Sequence, residues 1–430
     1  MAGSSFSTLG DMLEEDYLGV IEDQLNEDVF MWERMEKATW TRDGLDAIVP
    51  LKVARNSGVA FTGGNFPVPG AQQIKRMVIT SKKLYGSISI PGDLLASAEQ
   101  GSKHAYVSAV DLEMEGIKDD IARFANTAVF SGGPLCGFLN EHKSSTAGDW
   151  QFSGNLDKLA ALVAAGGSPT VSLIRADTYA TLAATVTVNS VNVAAGTVSL
   201  GGAVNTTGVA AGFAISVLID GGDAAFMANL ALEPTGVYGN LALPAHFTID
   251  RTTATGYPAV QSSIVTAKQT GDHARQDLSV ANIAGALSTI VRKASTKVRP
   301  NVIVCSPEQL NKYQAVVQAQ LRTNLSGDDK KSAKTLDGGP LSVSYAEIPL
   351  VGDIGCALGM LIFYREDSWK KVELRKGSFK QIDGLTWRQV ILLTGPTAGP
   401  QDEWAAAYSA YWDIICKRPN ANLILVGLTY

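Results

Sequence analysis

Residues 56–91 read NSGVAFTGGNFPVPGAQQIKRMVITSKKLYGSISIP. With AIVPLKVARNSGVAF leading in from residue 47, they predict an outgoing and a returning β-rich run around a tip that holds Gly63, Gly64, Pro67, Pro69 and Gly70. Glycine supplies positive φ and proline rigid kinks, so these residues suit the far end of a hairpin. At about 3.3 Å per residue, roughly 12–18 residues a side reach about 40–60 Å, longer than an ordinary strand. A two-stranded ribbon is marginal alone in water, and its outer edges carry unpaired backbone groups. It has to lie on its own protein or on a neighbour. Lys75, Arg76, Lys82 and Lys83 either guard those edges or pair with acidic groups, the N-terminal segment of another copy among them.

That N-terminal segment places ten acidic residues between Asp11 and Glu36 against Arg34 alone. Leu13, Tyr17, Val20, Ile21 and Leu25 recur within it at three- to four-residue steps, which predicts an acidic amphipathic helix. Downstream of the ribbon, Val110, Met114, Ile117, Ile121, Phe124 and Ala128 step by 4, 3, 4, 3 and 4. They form one apolar stripe, expected to face the core, on a helix of about 28 residues and about 40 Å. Gly132, Gly133 and Pro134 stop it. The GGPLCG that follows is not read as a phosphate loop, because it succeeds a helix where such a loop succeeds a strand.

A shorter helix, Leu156 to Ala165, closes at Gly166 and Gly167. Residues 178–219 then hold no Asp, Glu, Lys or Arg, and TVTVNSVNVAAGTVSLGG and GFAISVLIDGG alternate as strands do, predicting a small inserted β subdomain. Beyond it the pattern is α/β. SVANIAGALSTIVRKAS is an amphipathic helix, RPNVIVCS a buried strand, and SPEQLNKYQAVVQAQL a helix with Ser306 as N-cap and Pro307 at N1. Strands follow at LSVSYAEIP, GMLIFYR, WKKVELR and VILLT, and EWAAAYSAYWDIICKRPNANLILVGL predicts a closing hairpin turned at Pro419 and Asn420.

The composition narrows the function. A 430-residue chain with 46% apolar residues has ample material for a core, and a net charge of −6 offers no basic footprint for DNA or RNA. No basic and apolar leader opens the chain and no run of about 18 apolar residues interrupts it, so a protein made and kept in a cytosol without a membrane anchor is expected. Cys136, Cys305, Cys356 and Cys416 stand far apart, as do His104, His142, His246 and His273. Buried free thiols are expected, and neither a metal nor a cofactor.

Taken in order, the acidic arm, the ribbon, KKLYGSISIPGDLLASA, the long helix, FSGGPLCGFLN, FTIDRTTATGYPAVQS, RPNVIVCSPEQL and YWDIICKRPNANLILVGL resemble the major capsid proteins of tailed bacteriophages, the Hong Kong 97 type fold. The resemblance covers most of the chain outside residues 178–219 and lies in the order of the segments rather than in any one motif. It implies an α+β chain with an N-terminal arm at 1–43, an extended β-hairpin loop at 44–92 and a peripheral domain at 93–177 whose spine helix runs from about 102 to 130. The inserted β subdomain then occupies 178–222, a connection 223–275, the axial α/β domain 276–400 and a terminal hairpin of the peripheral domain 401–430.

The resemblance also implies function: self-assembly into pentamers and hexamers of an icosahedral head shell, formed in a bacterial cytoplasm and enclosing double-stranded DNA without sequence-specific contacts. Phe61, Gly63, Gly64, Phe66, Pro67, Lys75 and Arg76 of the loop, and Leu13, Tyr17, Ile21 and Leu25 of the arm, are the expected contacts between copies. An arm that starts within the first few residues implies a separate scaffolding protein or a chain already trimmed of a scaffolding segment, and a portal and a decoration protein are further partners. Lys82 and Lys83 lie at the base of the ribbon, whereas the cross-linking lysine of relatives lies out along the loop, so covalent cross-linking is not expected. An encapsulin-type compartment shell of the same fold is the alternative. Third in order stands an α/β enzyme built on Asp353, Glu366, Asp367 or Asp383, which read as ordinary surface carboxylates.

Overall fold

The computed structural model describes residues 31, 34–39, 46–54, 72–91, 103–131, 133–139, 148–164, 169–175, 181–201, 215–219, 233–242, 264–267, 276–294, 298–324, 343–380, 387–392 and 399–429. The chain enters through β1 (Glu36–Thr39), β2 (Asp46–Ala54), β3 (Gln73–Thr80) and β4 (Lys82–Pro91), followed by the long helix α1 (Lys103–Ser131). Next come β5 (Leu135–Leu139), β6 (Gly148–Gly154), α2 (Leu156–Ala164), β7 (Thr170–Arg175), β8 (Thr181–Asn192), β9 (Thr197–Gly201) and β10 (Ile215–Ile219). A short helix α3 (Val237–Ala242) and β11 (Ile264–Thr266) lead to α4 (Val280–Lys293), β12 (Val302–Cys305) and α5 (Pro307–Asn324). The remaining strands are β13 (Val343–Tyr345), β14 (Ile348–Gly352), β15 (Met360–Tyr364), β16 (Trp369–Phe379), β17 (Trp387–Leu392), β18 (Gly399–Cys416) and β19 (Leu423–Val426).

The described residues form two compact units, one of Lys82–Ala125 with Glu373–Trp412, the other of the rest. In the first, β18 pairs antiparallel with β4 from Glu403↔Pro91 to Trp412↔Lys82 and with β17 from Gly399↔Leu392 to Ala406↔Trp387. Ile88 and Ile90 of β4 are buried while Lys83, Tyr85 and Ser87 are exposed, the two-residue alternation of a sheet with one covered face. Helix α1 covers it closely. A Cβ on Gly86 would come 2.7 Å from Cδ1 of Ile121 and 3.2 Å from Cγ1 of Ile117, so the absent side chain lets the helix settle on the strand.

The stripe expected on α1 is corrected at Phe124, whose side chain is 53% exposed. Ile117 and Ile121 are half-buried, and the buried positions after them are Ala125, Ala128, Val129 and Phe130. The stripe continues in steps of four, 117, 121, 125 and 129, instead of stepping back by three to 124. The side chains of Val110 and Met114 lie outside the described part of the helix.

In the second unit, strands β10-β5-β6-β9-β8-β7 close into a six-stranded barrel. Its core holds Trp150, Phe152, Val171, Leu173, Val186, Val188, Val198, Leu200, Ile215 and Val217, with Leu156, Leu159 and Leu162 of α2 packed into it. The uncharged stretch is therefore only part of the module, which begins at Leu135 and not at residue 178. Strands β5 and β6 complete the ring, and closure is what removes the edges such short strands would expose.

A second sheet of the same unit runs β11-β19-β15-β12-β14-β13. The runs VIVC, MLIFY and LILV are buried at every position, as interior strands covered on both faces must be. Leu423–Val426 accordingly does not close a hairpin with β18. The turn at Pro419–Ala421 exists, but it passes the chain from one sheet into the middle of another, where β19 pairs parallel with β11 and antiparallel with β15. Helix α4 is capped by Ser279, whose side chain accepts from the Asn282 N–H at 3.2 Å. Ser306 stands ahead of α5 as expected, but its buried hydroxyl makes no hydrogen bond, so it is not a side-chain cap. Strands β13 and β14 turn at Ala346 and Glu347 with φ of 50° and 69°, the pair of positive angles that a two-residue hairpin requires.

Candidate functional site

Strands β2 and β3 pair antiparallel in a two-stranded sheet, with Ala47 opposite Ile79, Val49 opposite Met77, Pro50 opposite Arg76 and Lys52 opposite Ile74. Side chains opposite each other share a face, so Val49, Met77 and Ile79 form one side and Ile48, Val78, Pro50, Arg76 and Ile74 the other. The first side is anchored: Met77 and Ile79, 1% and 0% exposed, pack with Val49, Val372 and Ile415. The second is open. Ile74 is 65% exposed, Ile48 38%, and Pro50, Lys52 and Arg76 are also exposed. The tip residues Phe61, Gly63, Gly64, Phe66 and Pro67, and the side chain of Lys75, lie outside the described residues.

The ribbon is shorter at its base than the sequence suggests. Its returning strand ends at Thr80, and Lys82–Pro91 leaves for β18. The buried positions are 77 and 79 before Ser81 but 88 and 90 after it, so the alternation slips by one residue and the second run faces a different sheet.

Leu13, Tyr17, Ile21 and Leu25 also lie outside the described residues, but the root of the N-terminal segment is visible. The Met31 N–H donates to Oδ2 of Asp353 at 3.2 Å, Arg34 pairs with Glu366 at 2.8 Å, and Glu36 with Lys370 at 3.0 Å. Asp353 is thus no surface carboxylate. It is 0% exposed, and its Oδ1 accepts from Nδ2 of Asn126 at 2.9 Å and from the Gly355 N–H at 2.8 Å. One buried side chain ties the start of the described chain and the end of α1 to the loop after β14.

The other carboxylates considered for catalysis are equally occupied or unplaced. Glu366 holds Arg34, Asp367 is bidentate to Arg365 at 2.5 and 2.7 Å, and Asp383 lies outside the described residues. The hydrogen bonds from Arg365 hold the Asp367 carboxyl below its ordinary range. A cavity of about 330 Å³ opens where Ser131, Asn155, Asp157, Ser306 and Glu308 meet, and no histidine is among the described residues that line it. Among the described residues no three His, Cys, Asp or Glu gather as a metal site. All four cysteines are free and buried, and burial pushes the Cys136, Cys305 and Cys416 thiols up to about 12, away from reactive thiolate. No helix among the described residues is long and apolar enough to cross a membrane.

Sequence reasoning named the ribbon but missed its exposed outer face, which the alternation carried: Ile48, Val78 and Ile74 share one side with Pro50 and Arg76. It missed Asp353 entirely, since nothing in GDIG signals a buried carboxylate.

No protein-family model matches the chain, and no curated protein matches it. Solved structures do. The cyanophage A-1(L) capsid asymmetric unit aligns with 99% of this chain and 100% of its own at a TM-score of 0.56 and 11% identity. The capsid of the native GTA particle (TM-score 0.44, 11% identity, 100% of both chains) and Gordonia phage Cozz (0.45, 10%, 98% of this chain and 93% of that one) are also similar to it. The chain has a phage-capsid fold, the Hong Kong 97 type that its sequence resembles.

Proposed function

We propose that this chain is a major capsid protein whose copies assemble as pentamers and hexamers of an icosahedral head shell around double-stranded DNA. The observation that supports this most is the β2–β3 ribbon, sealed into its own protein on one face and exposing Ile74, Ile48 and Pro50 on the other. A strand pair of eight or nine residues spans about 30 Å, and without a covering partner such a pair is marginal in water. A neighbouring copy is the partner that completes it.

In this reading the loop residues Phe61, Gly63, Gly64, Phe66, Pro67, Lys75 and Arg76 grip one neighbour, and Leu13, Tyr17, Ile21 and Leu25 of the arm reach another. Contacts within five- and six-membered rings are head-to-tail, and a closed shell multiplies weak contacts through effective concentration. A net charge of −6 suits a lining along which packaged DNA has to slide. A scaffolding protein, a portal and a decoration protein are the partners such a head would recruit.

Negative-stain microscopy of the purified chain tests the proposal: rings or closed shells are expected, and a chain that stays monomeric under all conditions overturns it. Deleting residues 61–71 leaves a folded subunit that forms no closed shells, and normal particles from that deletion overturn the clamp. Particles from infected cells that hold a cargo protein and no DNA point to a compartment shell instead.

A further inference from the structure

The face of β4 and β18 turned away from α1 carries a cluster that shell closure alone does not explain. Tyr85, 56% exposed, stands edge-on to Tyr411 with ring centroids 6.0 Å apart and hydroxyls 3.2 Å apart. Lys83 Nζ lies 5.9 Å from the Tyr411 ring centroid, and the guanidinium carbon of Arg375 lies 6.0 Å from it. The hydrogen bond from Tyr85, then the charges of Arg375, Lys83 and Lys380, draw the Tyr411 hydroxyl below the ordinary phenol range. Among the described residues none of these three cations has an ion-pair partner.

Three cations around two phenols, one of whose rings is largely exposed, suit a ligand that brings carboxylates and apolar groups together. The chain contains one. Residues 11–28 hold Asp11, Glu14, Glu15, Asp16, Glu22, Asp23, Glu27 and Asp28 with no Lys or Arg, interleaved with leucine, tyrosine and isoleucine. We infer that the Lys83–Tyr85–Arg375–Tyr411 face is the docking surface for the acidic segment 11–28 of a neighbouring copy. This rests on the shell reading, which makes the partner a second copy. A nucleic-acid backbone would satisfy the cations, but it has no apolar side chains to set against the exposed Tyr85 ring.

The test mixes ¹⁴N- and ¹⁵N-labelled full chains, lets them assemble, joins amines to carboxylates with a zero-length carbodiimide and reads the linked peptides by mass spectrometry. Mixed-isotope links from Lys83 or Lys380 to the carboxylates of 11–28 are expected. A full chain with Lys83→Glu and Arg375→Glu, and another with Glu14→Lys, Glu15→Lys and Asp16→Lys, each lose about tenfold in assembled fraction, and combining the two sets restores most of it. Unchanged circular dichroism and thermal unfolding of the arm variant, measured alongside, separate a loss of docking from a loss of folding. Links confined to single chains, an arm variant that assembles normally, or a combination no better than its parts overturns the inference. So does a patch variant that assembles fully and only loses packaged DNA. Links are scored on whatever oligomer forms, so absence of shells from the unaltered chain counts against the shell reading, and shells without mixed links count against this one.

Discussion

Replacing Asp353 by Ala removes the acceptor of three hydrogen bonds at once: the Met31 N–H at 3.2 Å, Asn126 Nδ2 at 2.9 Å and the Gly355 N–H at 2.8 Å. Each donor left buried without a partner costs about 1–3 kcal/mol, and water entering the vacated space recovers part of it. A net loss of about 3–5 kcal/mol follows. Asp353→Asn keeps the shape but turns one acceptor into a donor that faces another donor, for about 2–3 kcal/mol. Hydrogen exchange reads both the global and the local part. The Met31 and Gly355 amides lose roughly 100-fold in protection, since about 1.4 kcal/mol is a factor of ten. The barrel strands β8 and β9, which make no contact with this carboxylate, keep their relative order of protection. If Asp353→Ala shifts neither amide by as much as fivefold, the carboxylate is not what anchors the root of the N-terminal segment.

Other expectations separate packing from assembly. Ile79→Ala, at a fully buried position packed with Val372 and Ile415, costs about 2–4 kcal/mol in urea unfolding, whereas Ile74→Lys on the open face costs under about 0.5 kcal/mol yet lowers the yield of shells; equal effects on stability would refute the two-faced ribbon. Gly154→Ala places a Cβ 2.5 Å from the Cys136 carbonyl oxygen and the Gly137 Cα at a φ of +155°, and loses about 3 kcal/mol or more, while Gly285→Ala in α4 meets nothing within 4 Å and gains about 0.5–1 kcal/mol in thermal unfolding. The Asp367 carboxyl is held down by Arg365, so its contribution is complete above the unfolded value near 3.8 and fades as pH falls through the lower folded value. The pair is exposed and therefore worth a few tenths of a kcal/mol; Asp367→Asn flattens the acid limb of a melting-temperature profile between about pH 2 and 4 by that amount.

The ribbon and the spine helix were legible because each follows a local period, two for the strands and nearly four for the helix. The end of the ribbon was not read: the returning run was carried on to Pro91, although Met77 and Ile79 hold one phase and Ile88 and Ile90 the other, with the break at Ser81. The barrel was half legible. Its uncharged strands alternate visibly, but LCGFL is short, wholly apolar and flanked by glycines, and its pairing with Ile215–Leu218 spans more than 70 residues that no local pattern reports. For β19 the turn at Pro419 outweighed a better signal, since LILV lacks the alternation of a strand with one open face. Asp353 and Phe124 needed the tertiary structure, because burial of a carboxylate and exposure of a ring depend on what other segments bring to them.

The folded chain treats its strand edges in two ways. In the barrel, six strands pair around a closed ring, so the module between Leu135 and Ile219 has no first or last strand. The β2–β3 pair, described as a sheet of two strands, keeps both outer edges and one apolar face open while its other face is locked to Val372 and Ile415. A closed module next to a deliberately incomplete one is not what folding of a single chain favours, because covering Ile74 and Ile48 internally would be worth about 1–2 kcal/mol each. The described residues leave that stabilisation to a partner. It follows that a ribbon rooted in Met77 and Ile79 transmits whatever grips its open face into the core beneath, so weakening the root by Ile79→Ala impairs assembly even where the subunit stays folded, and does so without touching a single residue of the contact.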